Sequence, residues 1–247
     1  MTDRIHVGTS GWHYPHWLGP FYPQRLASRE MLSFYGQRLR TVEINNSFYH
    51  LPAQETFRLW KEETPREFVF AVKASRYITH MKKLKDPEQS LQKFLLHAEE
   101  LGSKRGPILF QLPPHWGRDP ARFEDFLQAL PKTHRCAFEF RDPSWFHQET
   151  YTLLEEHNAA FCVYDLAGRE SPRLLTADFA YLRFHGPSEF KYAGRYTRAQ
   201  LRAWLRCSRS WLAQGAREVF VYFDNDQAGY AALNALELQE MARSEEA

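Results

Sequence analysis

The chain has 247 residues, 43% of them hydrophobic, and 32 Lys and Arg against 30 Asp and Glu leave a net charge of +2. That length is one minimal barrel's worth of sequence, with no room for a second domain, so residues 1–247 are expected to form one unit with a frayed polar tail at 243–247. The charge balance argues against a broad nucleic-acid footprint, and no run approaches the roughly 18 apolar residues that a membrane span requires.

The predicted strands are eight short apolar runs: 5–9, 42–46, 68–74, 108–112, 136–141, 161–165, 179–185 and 219–225. Each ends in polar or ionisable residues, reading TSGW, EINNSFY, VKAS, FQLP, EFRD, VYDL, RFHG and YFDND. In a (β/α)8 barrel all strand C-termini share one mouth, where active sites are built. The pattern therefore predicts both the TIM barrel and the place of its chemistry. The first strand follows Met1-Thr2-Asp3-Arg4 directly, with no readable signal or transit peptide. Cys136, Cys162 and Cys207 show neither zinc spacing nor a disulfide frame. A cytoplasmic location is expected.

Between the strands, Asp86-Pro87 and Asp119-Pro120 predict N-caps followed by Pro at the first helical position. The first of these helices would end at Gly102. Thr197 caps a helix whose buried stripe is Leu201, Trp204, Leu205, Ser208, Trp211 and Leu212. Weaker helices are expected over 30–39, 55–63, 147–157 and 227–242. Residues 166–178 are too few for a full crossover, so the sixth helix is expected to be short or missing. Asp142 before Pro143 reads as a cap. Asp226 reads equally as a metal ligand or as the cap of the last helix.

Strand alternation assigns the mouth. The inward residues are expected to be Glu43 and Asn45, Lys73, Gln111, Glu139 and Arg141, Asp165, Arg183 and His185, and Asp224. Burying such charges unpaired would cost several kcal/mol, so they face a cavity or pair with one another. Lys73 reads as an anion ligand, an ion-pair partner or a Schiff-base nucleophile. Glu139 or Asp224 is the candidate base and His185 the acid, with a hydrogen-bonded turn histidine as the alternative for His185. Arg141, Arg183, Lys191 and Arg195 are candidate anion ligands. Aromatic residues, Trp12 foremost, are placed to cover a ring, and Asn45, Gln111 and Asn225 complete the binding set.

Together the segments VGTSGWHYPHWLGPFYP, VEINNSFYHLP, FVFAVKASRYITH, LFQLPP, FEFRDPSWF, YLRFHG and VYFDND resemble the YecE-like family, domain of unknown function 72, over essentially the whole chain. The resemblance implies a TIM barrel related in fold to the xylose isomerase and endonuclease IV group, and no settled activity. It also implies a mouth that includes Gly11, Trp12, Glu43, Asn45, Lys73, Gln111, Glu139, Arg141, Asp142, Arg183, His185, Asp224 and Asn225.

Three functions are weighed. The first is an enzyme doing metal-independent acid/base chemistry on an anionic, ring-bearing small molecule, a sugar phosphate or nucleotide, with no cofactor. The second is a metal-dependent phosphodiesterase acting on nucleic acid, a divalent ion being held by Glu139, His185 and Asp224. The third is a non-catalytic binding protein whose mouth charges form a closed ion-pair plug. Connectivity separates them: in a plug each of Lys73, Arg141 and Arg183 has a carboxylate partner. In an open site, Lys73→Ala or Arg183→Ala is expected to cost little stability.

Overall fold

The computed structural model describes residues 4–244. The strands are β1 (Ile5–Ser10), β2 (Thr41–Ile44), β3 (Val69–Lys73), β4 (Arg105–Gln111), β5 (Cys136–Glu139), β6 (Ala160–Leu166), β7 (Arg169–Glu170), β8 (Phe179–Phe184) and β9 (Glu218–Phe223). The helices are α1 (Met31–Gly36), α2 (Gln54–Glu62), α3 (Pro87–Ala98), α4 (Pro120–Ala129), α5 (Gln148–Glu156), α6 (Arg198–Ala213) and α7 (Tyr230–Ser244). Every strand except β7 is parallel to its neighbours; β1 pairs with β2 and β9, and pairing of β5 with β6 closes the barrel. No helix among the described residues is long and apolar enough to cross a membrane.

The sixth crossover carries no helix. In its place, Ala167 and Gly168 turn the chain at positive φ, and β7 folds back antiparallel on β6. Of the expected caps, the Asp119 side chain accepts from Arg122 N, Asp142 from Ser144 N, and Thr197 from Gln200 N in a capping box. Asp86 does hold the N-cap position of α3, with Pro87 opening the helix, but its side chain makes no capping hydrogen bond: its φ is 48°, following left-handed Lys83 and Leu84, and its carboxylate takes Lys82 Nζ at 3.0 Å instead. Nor does α3 run to Gly102; it ends at Ala98 and tightens into a 3₁₀ segment, Glu99–Lys104. Asp226 caps nothing either, because α7 starts at Tyr230 and the Asp226 carboxylate accepts from Trp17 Nε1. Of the expected tail, Arg243 and Ser244 belong to α7, and the remainder lies outside the described residues.

The barrel interior is packed by complementary sizes. Ala71, Leu109, Ala137, Ala160 and Cys162 line one side and Phe179, Tyr181, Phe220 and Tyr222 fill the other. Small residues on β3, β5 and β6 leave the volume that four aromatic rings occupy. Gly8 allows β1 to close against β2, since a Cβ there would stand 2.0 Å from the Thr41 carbonyl oxygen. The outward faces, with Phe70, Phe110, Phe138, Phe161 and Leu182, pack under the helices in a separate apolar layer. Above the apolar plug, the next inward residue of most strands is polar, and this layer forms the mouth.

Candidate active site

Arg183, two residues past Tyr181 on β8, stands at the centre. Its guanidinium donates to Glu43 at 2.9 Å, Glu139 at 2.8 Å and Asp224 at 3.1 Å, and contacts Ser10 Oγ at 3.3 Å. Burial opposes its charge, but these carboxylates outweigh it and hold the guanidinium firmly protonated. Glu43 also accepts from Ser10 Oγ at 2.5 Å and Tyr181 Oη at 2.7 Å. Glu139 is wholly buried and takes Arg141 on one oxygen and Arg183 on the other. Burial would raise its pKa, but the two guanidiniums hold it well below the usual carboxylate range.

His185 lies between opposite charges. Asp224 Oδ2 is 3.0 Å from Nδ1, and Arg141 Nη2 is 3.0 Å from Nε2. A guanidinium can only donate, so Nε2 accepts and Nδ1–H donates to Asp224. This fixes the tautomer by its surroundings. Burial acts against the charge on Asp224, but the His185 hydrogen bond and Arg183 bring its pKa below the ordinary value. Among the described residues, Asp224 Oδ1 makes no hydrogen bond, so one oxygen stays uncommitted beside the dyad.

Lys73 differs from the two arginines. It is 6% exposed, yet its ammonium has no hydrogen-bond or ion-pair partner among the described residues and lies 4.3 Å from the Phe48 ring centroid. Burial, reinforced by Arg183, lowers its pKa from 10.5 to about 8. The strand ends around it are braced by Ser47 Oγ, which donates to the Lys73 carbonyl at 2.6 Å.

A cavity of about 580 Å³ opens between the loops that follow β1 and β2, walled by Trp12, Tyr14, Asn45, Tyr49 and Trp60 among others. It adjoins the ion cluster without containing it. Trp12 is 8% exposed and meets Trp60 edge-on, with ring centroids 5.0 Å apart. The Asn45 side-chain oxygen is buried without a partner among the described residues.

The structure thus brings together Glu43, Lys73, Glu139, Arg141, Arg183, His185 and Asp224, with Trp12 and Asn45 beside them. Gln111 ends β4 opposite Glu139 in register and is half-buried. The other predicted positions separate from this group. Arg195 is exposed and pairs with Glu237 of α7 at 3.4 Å, and Lys191 is exposed on the same loop. Asn225 is buried, but its amide donates to Gly194 O and Asn234 Oδ1, tying the loop after β8 to α7. Arg183 is at the mouth but is not an open anion ligand, because its donors are taken by carboxylates. Asp165 faces away from the barrel and accepts from Tyr196 Oη at 3.0 Å. The inward residue of β6 is Tyr164, over whose ring Arg141 stacks at 4.8 Å.

Sequence reasoning missed Ser10, Tyr181 and Tyr164. Each sits at the inward parity of its strand, a signal available from alternation had polar groups without charge been considered. The alternative metal set does not fit. Both ring nitrogens of His185 are engaged, the Glu139 oxygens face guanidiniums, and no group of three His, Cys, Asp or Glu suited to a metal occurs among the described residues.

Solved structures resemble this one closely. A DUF72 family protein from Thermotoga maritima MSB8 superposes with a TM-score of 0.88 at 30% identity, covering 97% of this chain and 99% of the other. A DUF72 family protein from Enterococcus faecalis V583 gives 0.83 over 97% of this chain and 95% of the other, at a 21% identity that speaks for the fold alone. Among sequences, the UPF0759 protein YunF of Bacillus subtilis (strain 168) is 26% identical over 96% of this chain and 94% of its own length. The UPF0759 protein YecE of Escherichia coli (strain K12) is 29% identical over 58% of this chain, a match spanning half of that protein. The family model described as "Protein of unknown function DUF72" matches residues 6–247, and on that match the chain belongs to the DUF72 family.

Proposed function

We propose that the protein is an enzyme performing acid/base chemistry on an anionic, ring-bearing small molecule held at the mouth of the barrel. The observation that carries this reading is Lys73. A cation this buried is normally paired, and the two neighbouring arginines are. An ammonium at the mouth without a hydrogen-bond or ion-pair partner among the described residues has unspent donors for a phosphate or carboxylate. Arg141 assists, since its Nη1 makes no hydrogen bond among the described residues and its side chain is 11% exposed.

The same geometry separates the catalytic roles. Glu139 has no exposed surface and both oxygens are engaged. The base is therefore Asp224, whose Oδ1 is free and whose side chain is 12% exposed. His185 is a positioning residue: its ring is wholly buried, holds Asp224 Oδ2 and is itself fixed by Arg141. Glu139 and Glu43 orient the guanidiniums. No step is routed through a metal, because both Glu139 oxygens are held by Arg141 and Arg183 and both His185 nitrogens are engaged, which leaves Asp224 Oδ1 as the one uncommitted donor atom of the three residues. A plug without function accounts for Arg183 but leaves Lys73 unexplained.

Thermal unfolding with inorganic phosphate, sulfate and a panel of phosphorylated small molecules tests the reading, using wild type and Lys73→Met. A ligand bound only by the native state at a hundred times its Kd stabilises by about 2.7 kcal/mol. The expected result is stabilisation of the wild type by at least one anion, lost in Lys73→Met. Absence of any shift with all of them overturns the proposal.

A further inference from the structure

We propose that the cavity between the β1 and β2 loops is a nucleobase site, in which Asn45 reads a planar heterocycle that presents a hydrogen-bond donor and acceptor side by side. This deepens the functional reading above and rests on it for the anion end: the substrate class becomes nucleotides rather than sugar phosphates. Asn45 carries the argument. Its side chain makes no hydrogen bond among the described residues, and its oxygen is buried without a donor. Buried polar atoms left unsatisfied are uncommon and call for a partner. An amide has one acceptor and one donor group a short distance apart, and their assignment can be exchanged by a flip. The ligand edge that satisfies either orientation has its own donor and acceptor adjacent, as in the pairing of Asn with the N6 and N7 edge of adenine. Other nucleobases offer comparable edges.

The surroundings fit a flat ring. Trp12 meets Trp60 edge-on, and its carbonyl takes the Tyr22 hydroxyl at 2.6 Å, so this ring of the cavity wall sits on a fixed loop. Tyr49, 70% exposed, stands at the entrance. Base stacking on such rings adds affinity without regard to which base is bound. A volume of about 580 Å³ lies within the range of small-molecule sites.

Position joins the two ends of such a ligand. β2 and β3 are in register at Glu43–Ala71 and Ile44–Val72, and one further step sets Asn45 beside Lys73. Tyr14, on the cavity wall, feels the charges of both Asp224 and Glu43. In this proposal the sugar and phosphate of a base seated on Asn45 run toward Lys73, which ends the neighbouring strand.

The test measures binding by calorimetry and by quenching of tryptophan fluorescence. The probes are the four common ribonucleosides, their 5′-monophosphates, ribose 5-phosphate and inorganic phosphate, against wild type, Asn45→Ala, Asn45→Asp and Lys73→Met. At least one nucleoside is expected to bind, and its monophosphate at least tenfold more tightly. Asn45→Ala and Asn45→Asp should weaken both at least tenfold while leaving ribose 5-phosphate unchanged. Lys73→Met should remove only the advantage of the phosphate. Because the Asn45 side chain makes no hydrogen bond among the described residues, both Asn45 variants should melt within a few degrees of wild type. If ribose 5-phosphate binds through Lys73 and no nucleoside or nucleotide binds better, the nucleobase site is overturned and the anion reading stands. If nucleosides bind through Asn45 and phosphate adds nothing, the base site stands and the anion reading falls. If no probe binds, both are overturned.

Discussion

At the N-terminal end of the barrel Glu218 lies between His6, at 2.7 Å, and Arg135, with side chains 32%, 16% and 35% exposed. At the mouth Arg183 lies among Glu43, Glu139 and Asp224, with side chains 1%, 0%, 0% and 12% exposed. The residue types are alike, but the surroundings are not. When a pair at the lower end breaks, water takes the place of the partner. At the mouth nothing does, so the whole cost of dehydrating each charge falls on its neighbours. An unpaired lysine at the lower end would mean little. The same lysine at the mouth is informative, because among the described residues no hydrogen bond or ion pair offsets its dehydration, and its close contact is the Phe48 ring at 4.3 Å.

Removing the central guanidinium should have the largest effect. Arg183→Met leaves three buried carboxylates without their shared partner and is expected to cost about 3–5 kcal/mol in urea unfolding, the opposite of the small cost expected from the sequence. Arg183→Lys keeps the charge without the fork that reaches several oxygens, so it should recover only part of the loss. A cost below about 1 kcal/mol, the value typical of exposed pairs, would erase the difference between the two ends.

Lys73 should behave in the reverse sense. Its pKa is about 8 in the folded chain against an ordinary 10.5, so between those values the unfolded chain binds the proton that the native protein has released. Wild-type stability therefore gains from this group as pH rises through that window. Lys73→Met lacks the penalty at every pH. It is expected to be about 2–3 kcal/mol more stable than wild type at pH 7, with the gap closing as pH approaches 10.5. Urea midpoints at pH 7, 9 and 10.5 measure it. A variant less stable than wild type at pH 7 would mean that Lys73 is paired after all.

Strand alternation made much of this cluster legible. Glu43, Lys73, Glu139, Arg183 and Asp224 each interrupt an otherwise apolar strand run at inward parity, and the structure puts all five in one layer. Asp165 was misread for a physical reason. β6 is buried on both faces, so Cys162 and Tyr164 are as apolar as Phe161 and Val163, and the pattern does not say which set points inward. Lys191, Arg195 and Asn225 lie past the strand ends, where alternation no longer applies and loop packing against α7 decides. The unpaired state of Lys73 was not readable, because it depends on which carboxylates the Arg183 fork reaches from across the barrel. The cavity at Asn45 needs two loops that are distant in sequence to meet.

The smallest expected effect belongs to the lower end. The Glu218 carboxyl is brought down to about 2, first by the His6 hydrogen bond and then, against burial, by Arg135. All three side chains are reached by water, so the pair is screened. Glu218→Gln should therefore cost only about 1 kcal/mol at pH 7. The sign follows from the depressed pKa: the stabilisation is present above the ordinary value of 4.5 and is lost as pH falls toward 2. Wild type and variant should converge across that interval, and added salt should narrow the gap at pH 7. Urea unfolding at pH 7, 4.5 and 3, with and without 1 M salt, follows both trends. A salt-insensitive loss as large as that of Arg183→Met would mean that exposure does not separate the two ends, and the weight placed on an unpaired Lys73 at the mouth would go with it.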